Sequence, residues 1–186
     1  MAGLQLWQSV SEATGRGRGE VSIAILFTDL VGFSAWALKA GDATTLELLR
    51  AVGTAQDAAV LARGGRIVKR LGDGLMVTFV DADGAVRAAL DAQDAVAEIE
   101  CDGYRPQLRA GVHWGRPRRL GGDYLGVDVN IAARVCGAAK AGQVLVSDPA
   151  LECVARDGFV LGRRKRLKAS GTPRELGTTP VSLGAR

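Results

Sequence analysis

Two aspartates occupy places where a carboxylate can do chemistry. Asp29 lies in the segment Phe27–Ser34, where an apolar run ends and a glycine turn leads towards a helix. Asp73 lies in the segment Lys69–Gly74, between two short apolar runs. A carboxylate in either place can hold a hard cation such as Mg²⁺ or Mn²⁺. Each also has a purely conformational explanation, because aspartate caps helices and Asp-Gly is common in hairpin turns.

The two aspartates are more informative as a pair. If the strand that ends near Asp29 lies beside the hairpin that carries Asp73, both carboxylates converge at one end of a sheet. They would repel each other unless cations bridged them. The backbone N–H groups at Gly32 and Phe33, at a helix N-terminus, can cradle phosphate. The pair therefore predicts a two-metal site for phosphoryl transfer.

Three segments in this order carry a family resemblance. Phe27–Ser34, Lys69–Gly74 and Val129–Arg134 resemble the catalytic domain of class III adenylyl/guanylyl cyclases, of the bacterial, adenylyl cyclase-like type. The resemblance covers roughly residues 21–181. It implies conversion of ATP to 3′,5′-cyclic AMP and pyrophosphate, by attack of the ribose 3′-hydroxyl on the α-phosphate. It also implies two divalent cations, Mg²⁺ or Mn²⁺, as cofactors.

The resemblance assigns roles to residues at the metals and the base. Asp29 and Asp73 match the metal-binding aspartates, and the carbonyl of Leu30 matches the main-chain ligand beside them. Lys69 and Asp123 match the pair that reads the base and selects adenine. A lysine donates to adenine N1 and a carboxylate accepts from the 6-amino group, whereas guanine presents the opposite polarity at both atoms.

The remaining matched residues would contact ribose and phosphates. Asn130 and Arg134, four residues apart on one helix face, match the pair that positions the ribose and stabilises charge on the α-phosphate. Lys168 matches the lysine that binds the terminal phosphates, and its neighbours Arg163–Arg166 also fit an ordinary solvated hairpin. His113, the only histidine, receives no role, because histidine in an alternating strand is more often a packed residue.

The family also builds each site between two subunits arranged head to tail. The metal-binding aspartates come from one chain, and the residues that bind base, ribose and α-phosphate come from the other. This chain holds both sets, so the resemblance implies a homodimer with two equivalent sites and an inactive monomer. The segment His113–Asp123 is shorter than the dimerisation arm of many family members, which favours weak association.

Other interpretations remain open at the level of sequence. One is a guanylyl cyclase, and another is a catalytically weak, cyclase-like domain that binds nucleotides for regulation. Gly121-Gly122-Asp123 invites comparison with diguanylate cyclases, but Tyr124 stands where those enzymes usually carry an acidic residue. The Gly/Arg stretch Gly15–Gly19 suggests RNA binding, but the chain lacks the aromatic platform that such proteins use.

Composition sets the limits for all these interpretations. The 186 residues fit one domain, and 47% hydrophobic with 24% charged residues argues against disorder. Three cysteines without a CxxC pair argue against a disulfide framework or structural zinc and favour the cytoplasm. A net charge of +4 suits a polyphosphate ligand and is too mild to imply nucleic acid. We expect no membrane span, because no apolar run is long enough.

Hydrophobic periodicity predicts the elements that must position these residues. Strands alternate with helices, but one hairpin is embedded. This predicts an α/β fold of the α+β sandwich type, with a ferredoxin-like βαββαβ core and helices packed on a mixed, mostly antiparallel sheet. We expect residues 1–20 to be a flexible leader or linker, residues 21–182 the catalytic domain and residues 183–186 a tail. The predicted elements are strands at Val21–Phe27, Arg66–Lys69, Leu75–Phe79, Gln107–His113, Gln143–Ser147 and within Phe159–Val181, and helices at Asp42–Arg63, Asp83–Glu100 and Val127–Ala139.

Overall fold

The computed structural model describes residues 21–184, so the predicted leader and the end of the predicted tail lie outside the described residues. The strands are β1 (Ile23–Leu30), β2 (Arg66–Leu71), β3 (Gly74–Phe79), β4 (Leu108–Gly115), β5 (Arg118–Leu120), β6 (Asp123–Leu125), β7 (Val144–Ser147), β8 (Phe159–Leu161), β9 (Lys165–Arg166) and β10 (Gly177–Leu183). The helices are α1 (Phe33–Ala40), α2 (Asp42–Ala62), α3 (Ala82–Ala97), α4 (Val127–Ala138) and α5 (Asp148–Leu151).

The main sheet has the order β2-β3-β1-β4-β7-β10-β8, and β9 pairs with β10. Its neighbours run antiparallel except β4 and β7, which are parallel. The first half, β2-β3-β1-β4, joined through α1, α2 and α3, is the ferredoxin-like βαββαβ arrangement. The predicted fold class is therefore confirmed. Strands β5 and β6 form a separate two-stranded arm.

The central strand β1 is buried on both faces, which explains its continuous apolar sequence. Ala24 and Leu26 pack with α3 in one core cluster. Ile25 and Phe27 point to the opposite face and pack with α4 in a second cluster. Alternation along the strand then places Asp29 on the face that α4 covers.

The structure differs from the predicted bounds at functionally relevant points. Strand β1 continues to Leu30, because Thr28 and Asp29 pair with Ala110 and Arg109 of β4. The predicted end of this strand at Phe27 was therefore wrong, and Asp29 belongs to the strand itself. Helix α3 begins earlier than expected, since the side chain of Asp81 caps it by accepting from the backbone N–H of Gly84 at 2.6 Å.

Two further features concern the cysteines and the helices. Cys101, Cys136 and Cys153 are all free thiols. Across residues 21–184, no helix combines the length and the apolar character that crossing a bilayer requires.

Candidate active site

The structure brings Asp29 and Asp73 together at the end of β1. Asp73 lies in the turn between β2 and β3, and its Oδ2 accepts a hydrogen bond from the backbone N–H of Leu30 at 3.0 Å. Burial and the neighbouring charge of Asp29 raise the pKa of the Asp73 carboxyl. The effect of Asp29 on Asp73 shows that the two carboxylates lie close together, as the sequence predicted from their pairing.

A close backbone approach fixes the hairpin turn against β1. A β-carbon at Gly74 would lie 2.0 Å from the carbonyl oxygen of Thr28, so only glycine fits. The hydroxyl of Thr28 accepts from the backbone N–H of Leu75 at 3.0 Å and donates to the side-chain oxygen of Gln56 at 2.6 Å. These buried hydrogen bonds set the distance between the turn and the strand, and therefore between the two aspartates.

Arg109 is a site residue that the sequence analysis missed. It pairs with Asp29 across β1 and β4, and its Nε donates to Asp29 Oδ2 at 2.9 Å while Nη2 contacts the same oxygen. Its Nη1 also donates to the carbonyl of Gly137, near the end of α4, at 3.4 Å. The available signal was an arginine at an α4-facing position of a strand whose other residues are mostly apolar.

The donor set fits a hard divalent cation. Two carboxylates of like charge meet beside the main chain of Leu30, where burial and then the charge of Asp29 raise the pKa of Asp73. A bound cation would offset both effects. Across residues 21–184, no three or more histidine, cysteine, aspartate or glutamate side chains are arranged so that they alone could hold a metal ion. One or two carboxylates completed by substrate phosphates and water are typical of Mg²⁺.

Cys136 lies below this pair, on α4, and takes no part in nucleophilic chemistry. Burial raises the pKa of its thiol to about 12, and the charge of Asp29 adds to the effect. The thiol is therefore neutral at physiological pH, and a neutral thiol is a poor nucleophile and a poor ligand.

The turn after β1 leaves open space where phosphate was expected to bind. Gly32 has a φ of +74°, and a β-carbon there would meet nothing within 4 Å. Phe33 begins α1 and packs against Trp36, with ring centroids 6.2 Å apart. Trp36 stacks in turn on Tyr104 at 4.6 Å, which anchors the start of this helix.

Lys69 and Asp123 form an ion pair, with Nζ and Oδ2 2.5 Å apart. A β-bulge between Ile67 and Lys69 shifts the register of β2, so Lys69 lies opposite Met76, whose side chain packs on the α4 face. Asp123 begins β6, and its other oxygen accepts from the backbone N–H of Tyr124 at 2.7 Å. The bulge therefore directs the side chain of Lys69 towards the two-stranded arm β5–β6, which carries Asp123.

The remaining predicted residues lie on or beside α4. Asn130 and Arg134 are half-buried. The buried residues of α4 lie on the side of the helix that packs against the sheet. Lys168 is exposed in the loop after β9. It lines a groove of about 640 Å³ that Ala138, at the end of α4, also borders. The structure leaves the predicted roles of these three residues as predictions.

Comparison with known proteins gives a consistent result. The profile of the family described as "Adenylate and Guanylate cyclase catalytic domain" matches residues 18–179. An adenylate cyclase of Streptomyces coelicolor is 36% identical over 124 residues, covering 67% of this chain and 32% of that protein. A pH-sensitive adenylate cyclase of Mycobacterium tuberculosis is 33% identical over 150 residues, covering 76% of this chain and 36% of that protein.

Solved structures show the same fold. The catalytic core of a rhodopsin-guanylyl cyclase with converted specificity, in complex with ATPαS, has a TM-score of 0.81 at 22% identity, covering 88% of this chain and 96% of that one. The adenylyl cyclase CyaB from P. aeruginosa has a TM-score of 0.75 at 21% identity, covering 89% and 95%. The chain spans about a third of the length of the curated relatives named above.

Proposed function

Because the chain belongs to the adenylate and guanylate cyclase catalytic domain family, we propose that it is an adenylyl cyclase. It converts ATP to 3′,5′-cyclic AMP and pyrophosphate at sites shared between the subunits of a head-to-tail homodimer. The observation that carries this proposal is the convergence of Asp29 and Asp73, fixed by the hydrogen bond from Leu30 N–H to Asp73. Three free cysteines are compatible with the cytoplasmic location that we also propose.

Asp29, Asp73 and the carbonyl of Leu30 would hold two Mg²⁺ or Mn²⁺ ions. When bound, such ions would lower the pKa of the ribose 3′-hydroxyl and neutralise charge on the triphosphate. Without them, Arg109 balances the charge of Asp29 and keeps that carboxylate in a fixed orientation. The backbone N–H groups of the turn at Gly32 would donate to phosphate oxygens.

The residues on α4 would act on the reacting atoms. Asn130 would orient the ribose, so that its 3′-oxygen faces the α-phosphorus. The guanidinium of Arg134 would stabilise the charge that develops on the α-phosphate oxygens in the transition state. Lys168, exposed beside the groove that follows α4, would hold the terminal phosphates. Positioning and positive charge are the main contributions that a protein makes to phosphoryl transfer.

The Lys69–Asp123 pair supports adenine over guanine. Its short contact of 2.5 Å places a donor and an acceptor side by side, as adenine N1 and the 6-amino group require. Guanine would face each group with the wrong polarity, and an unpaired buried polar group is costly. A guanylyl cyclase remains the second candidate function, because the family includes both activities.

The homodimer is proposed because one chain carries both predicted halves of a site. Two copies would therefore complete two equivalent sites.

The test is an assay of cyclic AMP and pyrophosphate with ATP or GTP, in Mg²⁺ or Mn²⁺, over a range of protein concentrations. We expect activity with ATP that rises more than linearly with protein concentration. Asp73→Asn should be inactive, whereas Asp91→Asn should remain active, because Asp91 forms an exposed ion pair with Arg63, away from the predicted site residues. ATP binding without product at any concentration would instead support a regulatory, nucleotide-binding domain.

A further inference from the structure

Asp128 attaches the first turn of α4 to β4 and to the residue that follows it. The N-cap residue, Gly126, has no side chain to accept a hydrogen bond from this turn. Instead, Asp128 Oδ1 lies 3.2 Å from His113 Nε2 on β4, and Asp128 Oδ2 accepts from the backbone N–H of Arg116 at 2.7 Å. The start of the helix is therefore attached to the sheet through one carboxylate.

His113 connects that carboxylate to the interior of the sheet. The imidazole is 3% exposed, and its Nδ1 lies 2.8 Å from Oγ of Ser147, which is fully buried on β7. Since a carboxylate only accepts, Nε2 donates to Asp128, and in the neutral imidazole Nδ1 then accepts from the Ser147 hydroxyl. A neutral imidazole in this tautomer satisfies both contacts. The hydrogen bond from His113 also lowers the pKa of Asp128.

Close packing against β4 fixes the position of helix α4. A β-carbon at Gly115 would lie 2.3 Å from Cγ of Asp128, so the carboxylate rests directly on the β4 backbone. Further along the helix, a β-carbon at Gly111 would lie 2.1 Å from the backbone nitrogen of Cys136. Helix α4 thus lies against β4 at two glycines, and the contact at Asp128 fixes its N-terminal end.

We propose that His113 is a positioning residue for the reaction. Through Asp128 and Ser147, it fixes the first turn of α4 and thereby the placement of Asn130 and Arg134. Asn130 follows Asp128 by two residues, and Arg134 lies one turn further on the same rigid helix. Displacements of about 1 Å in a catalytic group can cost on the order of 10²-fold in rate. This inference rests on the proposed roles of Asn130 and Arg134.

Two substitutions of His113 separate positioning from simple burial. In His113→Gln, the amide nitrogen can occupy the place of Nε2 and still donate to Asp128. In His113→Asn, the amide oxygen can occupy the place of Nδ1 and still accept from Ser147, but the donor to Asp128 is lost. His113→Gln leaves the buried Ser147 hydroxyl without its acceptor, and His113→Asn leaves the half-buried Asp128 Oδ1 without its donor, so both should lose stability.

The expected kinetic result distinguishes the two variants. His113→Asn should lower kcat about tenfold or more with little change in KM for ATP, whereas His113→Gln should keep most of kcat. Equal losses of kcat in both variants, or a loss in neither, would overturn the proposal. The alanine variants of Asn130 and Arg134 are measured in parallel, because full activity in those two would contradict the proposed function instead.

Hydrogen exchange of the backbone amides in residues 127–134 supplies a readout without turnover. Exchange should accelerate in His113→Asn and not in His113→Gln. Asp148→Asn is the matched control, because Asp148 also begins a helix and accepts from a distant backbone N–H, that of Gly177, at 2.7 Å. The Asp148→Asn substitution should leave hydrogen exchange in α4 unchanged. Unaltered exchange in His113→Asn would overturn the proposal.

A half-buried position provides a second variant if the His113 substitutions do not fold. Asp128→Ala removes the same attachment at a side chain that is 30% exposed, where a loss of packing is better tolerated. It should show the same faster exchange in α4 and the same fall in kcat. Wild-type exchange and kcat in a folded Asp128→Ala protein would contradict the inference.

Discussion

Replacing Asp73 with asparagine should stabilise the metal-free protein while removing its response to metal. In the absence of cations, burial and Asp29 disfavour the charge on Asp73, as its raised pKa records. Asparagine keeps an oxygen that can accept from the backbone N–H of Leu30 and removes the charge. Arg109 already balances part of the charge of Asp29. We therefore expect a gain of only about 1 kcal/mol in the free energy of unfolding, far less than two unscreened charges would give.

The gain is measurable as a shift in thermal melting. For a domain of this size, about 1 kcal/mol raises Tm by roughly 2–4 °C. In the wild type, Mn²⁺ at about 100 times its Kd should stabilise the fold by about 2.7 kcal/mol, which corresponds to a rise in Tm of roughly 5–10 °C. Asp73→Asn should melt higher than wild type in chelator and lose the rise with Mn²⁺.

Melting curves in chelator and in Mn²⁺, recorded by circular dichroism, test both parts together. Asp91→Asn is the control, since Asp91 belongs to an exposed ion pair with Arg63 and should change neither value substantially. A lower melting temperature for Asp73→Asn in chelator would refute the view that Asp29 and Asp73 repel each other. A wild-type response of this variant to Mn²⁺ would refute the assignment of Asp73 as a metal ligand.

Three other predictions address base selection, assembly and acid stability. Replacing Lys69 and Asp123 together with uncharged residues should reduce the ratio of kcat/KM for ATP over GTP by about tenfold or more, and an unchanged ratio would remove their role in reading the base. Mixing Asp29→Ala with Arg134→Ala should restore about a quarter of wild-type activity, since half of the dimers are mixed and each has one working site. No recovery in a mixture that demonstrably exchanges subunits would contradict a shared site. The pKa of Asp148 is lowered by its hydrogen bond with an arginine, so its contribution to stability exists at neutral pH and is lost as pH falls through that lowered value. Asp148→Asn should therefore melt below wild type at pH 7 and equal to it in strong acid, and a difference that grows on acidification would contradict this assignment.

The sequence predicted the fold because its signals are local and agree with one another. The apolar run before Asp29 predicted a buried strand, and the Gly72-Asp73-Gly74 turn between two short apolar runs predicted a hairpin. The joint placement of the two aspartates followed from pairing those strands. The end of β1 was wrong because cross-strand pairing with β4 overrode the turn preference of Thr28 and Asp29.

The rest of the site depends on contacts between residues far apart in sequence. Arg109 reaches Asp29 only through the register of β1 and β4, which no local pattern specifies. The direction of the Lys69 side chain depends on a β-bulge. A bulge moves a side chain to the other face of the sheet without a strong sequence signal. His113 was correctly predicted to be packed, but its bridge between Ser147 and Asp128 required the three-dimensional arrangement.

The missing side chain at Gly74 has a consequence for how substitutions in this protein would be interpreted. Any larger residue would collide with the carbonyl of Thr28 and push the hairpin away from its neighbour. The two acidic groups would then separate, although neither had been altered. A saturation screen scored by product formation would rank this chemically inert position beside the aspartates themselves. The positions that tolerate no substitution in such a screen would therefore include Gly74, which sets the distance, as well as the two aspartates.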